Sequence, residues 1–157
     1  MSIESRIERV SAFHRRIHTE IVIDAPCEHV WRVMTDWDRL HEWSPTLRGV
    51  VGDIGHGQTV ACVYRFRGKD ATPKHTLYYD EGRAFGWSDP LLPGLIDRHL
   101  FQIEAMSDGR TKLIQSDEVR GPLCPVLGSF FLGEMAATYP QYNRALKARV
   151  EAESKPS

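Results

Sequence analysis

Charge of either sign is not in excess in this sequence: 20 Lys and Arg stand against 21 Asp and Glu, a net charge of −1. With no basic stripe there is no electrostatic footprint for nucleic acid or acidic lipid, and no nucleic acid is expected as a partner. Long apolar runs are missing too. Nothing approaches the ~20 residues of a membrane-spanning helix, and the first residues carry no apolar signal core. A cytoplasmic chain without an integral membrane segment is therefore expected. Cysteine is scarce: Cys27, Cys62 and Cys124 are odd in number and lack metal-ligand spacing, which favours free thiols in a reducing compartment. A serine nucleophile elbow, a phosphate-binding glycine loop and an internal repeat are all absent, and no cofactor is predicted.

What is present is an ordinary globular composition, 41% apolar and 26% charged, in 157 residues. That length suits one domain. Ile3, Ile7, Val10 and Phe13 or His14 recur at near-helical spacing, so residues 1–16 are expected to form an amphipathic helical extension. The domain proper is placed at 17–153. In "RIHTEIVID", Ile17, Thr19, Ile21 and Ile23 alternate as in a half-buried strand. "DAPCEHVWRVMTD" follows as a helix, with Pro26 in its first turn and Val30, Trp31 and Met34 on one stripe. A second short helix is predicted over Asp36 to Trp43, stopped by Ser44-Pro45.

Beyond Pro45, β-rich segments alternate with turn formers such as "GKDATP", "DEGR" and "SDGR", the pattern of an antiparallel meander. From Pro122 to about Glu153 the texture is helical, with Leu127, Phe131, Met135, Thr138, Tyr142, Ala145 and Arg149 on one stripe. Pro140 predicts a kink or break near Tyr139. The fold class is α+β: a strongly curved antiparallel sheet of about seven strands wrapped around a long C-terminal helix, with two short helices after strand 1.

Four stretches in this order, "IVIDAPCEHVWRVMTDWDRLHEWSP", "EGRAFGWSDPLLPGLIDRHLFQIE", "RTKLIQSDEVRGPLCPVLG" and "YNRALKARVE", resemble the SRPBCC (START-like, birch-pollen-allergen-like) superfamily. Within it the sequence resembles especially the bacterial polyketide cyclase/dehydrase and lipid-transport proteins. The resemblance covers about His18 to Ala152. It implies a helix-grip fold with a cavity between sheet and helix for an apolar or polycyclic ligand. It does not imply one chemistry, since carriers, hormone receptors, cyclases and metal-bearing oxygenase domains share the fold. The oxygenase members' metal ligands have no match here.

Alternation assigns the faces of the strands. Cys62, Tyr64 and Phe66 share one side of their strand with Val60; His75, Leu77 and Tyr79 share a side of the next. Arg83, Phe85 and Trp87 form a third set, His99 and Phe101 a fourth, Gln115 and Asp117 a fifth. With Phe131, Met135 and Tyr142 from the last helix, these are the expected lining of a ligand cavity. Leu40 and Trp43 join them from "TDWDRLHEWSP", read as a wall whose Asp38, Arg39 and Glu42 face water. A dry void of ~300 Å³ would cost roughly 7 kcal/mol, so polar groups on the inner face point to a wet or ligand-filled cavity.

His99 and Asp117 are the candidate catalytic pair, an imidazole oriented by a carboxylate and suited to enolisation or dehydration of a polyketone. The plainer reading, and the one favoured, is a buried hydrogen bond between them with a structural role. Asp38 and His41 stand three apart without a matching second histidine, and His14 and His18 straddle an element boundary, so no metal site is predicted. "PLLPGLI", spanning Leu91 to Ile96, is expected as a loop acting as a lid or dimer contact. Binding of a hydrophobic small molecule (lipid, quinone or polyketide-like), as carrier or sensor, is the leading function. A polyketide cyclase, aromatase or dehydratase and a protein-interaction module are the alternatives, in a monomer or homodimer.

Overall fold

The computed structural model describes residues 5–154. Nine strands form one antiparallel sheet: β1 Ser5–Ser11, β2 His14–Ile23, β3 Leu47–Gly52, β4 Thr59–Phe66, β5 Lys69–Ala71, β6 Lys74–Asp80, β7 Ala84–Leu92, β8 Leu95–Ala105 and β9 Thr111–Arg120. Their order is β1-β2-β9-β8-β7-β6-β4-β3, with β5 a short return strand on β4. Two short helices, α1 Cys27–Met34 and α2 Leu40–Trp43, connect β2 to β3, and a π-helical turn at Cys124–Gly128 leads into α3, Ser129–Glu153. The sheet wraps α3. On β2 the alternating Ile17, Thr19, Ile21 and Ile23 are all buried against it, as their spacing predicts.

Three expectations are corrected. The N-terminal helix is not formed: residues 5–11 are strand β1, paired with β2 from Ser5↔Thr19 to Ser11↔His14 (Ile3 lies outside the described residues). Ile7 and Val10 stay 43% and 51% exposed, so their spacing marks no buried face. Pairing on the free edge of β2 satisfies the backbone instead, and tertiary context overrides spacing. Of the kink or break predicted near Tyr139, the break is absent, since α3 runs through Pro140. Buried Tyr139, Tyr142 and Asn143 clamp that turn on the sheet, which offsets the one N–H that proline lacks. Finally, "PLLPGLI" is a hairpin tip rather than a loop: Pro90↔Ile96 and Leu92↔Leu95 are paired, around a Pro93-Gly94 turn with Gly94 at φ +88°.

Two apolar clusters fill the grip. One joins α1, α2 and the C-terminal half of α3 to the sheet, through Met34, Leu40, Leu47, Phe85, Leu113 and Leu146. The other gathers Ile17, Leu95, Val119, Cys124, Leu132 and Tyr139 at the N-terminal half of α3.

Candidate ligand site inside the grip

Antiparallel register lays the inner residues out in rows across the sheet. One row is His75, Asp89, Asp97 and Val119, the last two pairs matched as Asp89↔Asp97 and Asp97↔Val119. The next is Leu77, Trp87, His99, Asp117 and Ile17. A third is Tyr79, Phe85, Phe101, Gln115 and Thr19. The inner face is thus graded, polar in the first row, mixed in the second and mostly aromatic in the third.

The aromatic end is closed. Trp37 meets Phe85 edge-on at 4.9 Å, Phe85 stacks on Phe101 at 4.8 Å, and Trp43 tilts against Tyr142 at 5.3 Å. Leu40 is fully buried beneath them, while Asp38, Arg39 and Glu42 are exposed, so "TDWDRLHEWSP" is the wall that its spacing predicts. Its helix is shorter than expected, only Leu40–Trp43.

The middle is polar and buried. His99 and Asp117 face each other across β8 and β9 but do not bond to each other. His99 Nε2 meets the Gln115 side-chain amide at 2.9 Å, and Asp117 accepts the Tyr139 hydroxyl. Burial pushes His99 down to about 3, with His75 adding to the shift. Burial, then the charge of Asp97, pushes Asp117 up to about 8. Both are therefore neutral near pH 7, and His99 is a poor proton acceptor. Asp97, buried beside them, is raised to about 6, chiefly by desolvation. In the same region His75 Nδ1 lies 2.6 Å from Asp89 Oδ2, its ring stacked on Trp87 at 5.3 Å, and its buried Nε2 has no partner. Gln115 Oε1, Asp117 Oδ1, Tyr142 OH and Asn143 Oδ1 are likewise buried without partners.

The other end opens. Phe66, Arg67, Phe130, Phe131, Glu134, Met135 and Thr138 line a groove of about 590 Å³ between the β4–β5 turn and α3. Arg67 Nη2 bonds Glu134 at 3.1 Å across it. Two stripes run from this mouth inward: Phe131, Met135 and Tyr139 at four-residue spacing on α3, and Phe66, Tyr64 and Cys62 at two-residue spacing on β4. Cys62 is an inert thiol there, pushed up to about 12 by burial.

Most of the expected lining is therefore on the inner face. Arg83 is the exception: it sits exposed in the turn after β6, its guanidinium 3.9 Å from Asp80. Alternation carries it inward only if β7 starts one residue early. Sequence reasoning misses Asp89, Asp97, Tyr139 and Asn143. Period-two counting from Trp87 reaches Asp89, and from His99 reaches Asp97, once the strands are extended into "PLLPGLI". Tyr139 is obscured by Pro140. Among the described residues no group of three or more His, Cys, Asp or Glu is placed to hold a metal.

An antiparallel sheet closed around one long C-terminal helix, with short helices after the first long strand, defines the helix-grip class. A family model described as polyketide cyclase / dehydrase and lipid transport matches residues 14–151, and the chain belongs to that family. Solved structures agree in fold. An aromatase/cyclase, Zhui from Streptomyces sp. R1128, is 17% identical with a TM-score of 0.67, covering 90% of this chain and 96% of that one. A START superfamily protein from Mycobacterium smegmatis is 17% identical with a TM-score of 0.60, over 88% and 99%. A protein from Thermus thermophilus is 17% identical with a TM-score of 0.67, over 89% and 99%. No curated protein matches the sequence. At these identities the likeness extends to the fold alone. No described helix is long and apolar enough to cross a membrane.

Proposed function

We propose that the chain binds a hydrophobic small molecule of lipid, quinone or polyketide type between sheet and α3, as a carrier or sensor. The observation that carries this reading is the groove of about 590 Å³, walled by Phe66, Phe130, Phe131 and Met135. Its two inward stripes lead to buried polar atoms without partners, at Gln115, Asp117 and Asn143. An apolar body with one neutral polar group fits that sequence of surfaces, because each unpaired buried polar atom costs about 1–3 kcal/mol until something bonds to it. Native mass spectrometry of the purified chain should find an apolar ligand retained. Met135→Trp, which fills the groove, should lose it with the fold intact. A chain that retains nothing and binds neither a fatty acid nor a quinone probe would sink the reading.

A second reading, proton transfer of the cyclase or dehydratase kind, is favoured by a different pair from the expected His99 and Asp117. His75 is oriented through Nδ1 by Asp89 and keeps Nε2 free, as a general base requires. His99 spends Nε2 on Gln115. On a polyketone substrate His75→Gln should lower turnover about 100-fold or more, with ligand affinity nearly unchanged. If His99→Gln alone abolishes turnover and His75→Gln does not, the original pair is reinstated.

A further inference from the structure

We propose that β1 is the contact strand of a symmetric dimer, pairing antiparallel with β1 of a second copy of this chain. β1 ends one edge of the sheet, and its sole strand partner among the described residues is β2. It also lies outside the part of the chain that the family model matches, residues 14–151. The strand is therefore an addition that moves the sheet edge outward. Its outer side presents a row of backbone donors and acceptors, the surface on which another strand adds.

The side chains specify one occupant and, among registers centred from Ile7 to Arg9, one register. Centred on Ile7, an antiparallel pair sets Ile7 against the partner's Ile7, Arg6 against the partner's Glu8 and Ser5 against the partner's Arg9. Centring on Glu8 sets glutamate on glutamate, and centring on Arg9 sets arginine on arginine. Registers centred between residues put one copy's inner face beside the other's outer face, because opposed residues share a side of the sheet.

The rows already present on β2 extend through this contact. On the outer face Glu118 pairs in register with Arg16, and Arg16 Nη2 bonds Glu8 Oε2 at 2.7 Å; the partner's Arg6 comes next, so the signs alternate. On the inner face buried Ile17 is followed by Ile7, 43% exposed, and the partner's Ile7 covers the exposed half. Charges on an edge strand commonly keep edges apart. Here they are self-complementary, and a two-fold contact closes without leading to a fibre.

Sedimentation velocity on the full chain across a concentration series tests this. The wild type should dimerise. Arg6→Glu places like charges at both symmetric positions, as does Glu8→Arg, and each alone should weaken the dimer roughly tenfold or more. Mixed together, the two variants set the introduced glutamate of one against the introduced arginine of the other and should form a heterodimer. A second measurement does not depend on charge: Ile7→Cys should cross-link across the two-fold axis on mild oxidation, whereas Val10→Cys should not. A wild type that stays monomeric overturns the proposal. So does a dimer that both charge variants leave intact, a mixture that stays monomeric, or equal cross-linking at the two cysteine positions.

Discussion

Asn143 and Gly86 show what single residues hold in place. Asn143 is fully buried on α3 and donates Nδ2 to Thr19 Oγ1 at 2.9 Å; Thr19 in turn donates to the Gln115 carbonyl at 2.9 Å. That relay pins the helix to β2 and β9. Asn143→Ala removes the buried donor to Thr19 Oγ1 and leaves only the bond to the Gln115 carbonyl, so a loss of about 1–3 kcal/mol in a urea melt is expected. Gly86 sits in mid-β7, where a Cβ would stand 2.1 Å from the His99 carbonyl oxygen. The obstacle is backbone and cannot rotate aside. Gly86→Ala should therefore cost more than about 2 kcal/mol by the same melt, through separation of β7 from β8 behind the site. Neither role is readable locally. A strand pattern says that His99 faces inward, but its partner is Gln115, two rows of chemistry that only register brings together.

At the scale of elements the alternation of β2, β8 and β9 is fully legible, because one face of each is buried and the period of two is strict. Their neighbours are less so. β1 reads as a helix because a strand held by its backbone needs no apolar periodicity. β7 reads as ending early because proline and glycine in "PLLPGLI" mimic a loop, although they form the tip of a long hairpin. α3 continues through Pro140 for the converse reason: tertiary packing of Tyr139 and Tyr142 outweighs a local cost. That cost remains. Pro140→Ala should restore a backbone donor and stabilise the protein by about 1–3 kcal/mol, read as a rise in thermal midpoint without change in helix content.

For the whole molecule, the buried polar row makes stability depend on pH. Asp117 holds its proton up to about 8 in the fold, against an ordinary 3.8. Between these values the native state binds a proton that the unfolded chain has released, so stability falls as pH rises. Asp97 acts in the same sense up to about 6, and His99, held down to about 3, acts oppositely below 6.5. Above 6.5, Asp117 alone of the three still titrates. Thermal midpoints should drop between pH 6.5 and 8, and Asp117→Asn should flatten that drop; an unchanged slope would show that Asp117 is already ionised. The sequence by itself determined the class of architecture, the inner face of most strands and the inward packing of Leu40 and Trp43, because burial imposes short periods that any window of residues displays. Only the tertiary structure decided which inner polar groups pair, that His75 Nε2 is buried without a partner whereas His99 Nε2 meets Gln115, and that a groove lies beside Phe66 and Met135. Those outcomes depend on register and on the path of α3 across the sheet, which join residues far apart in the chain.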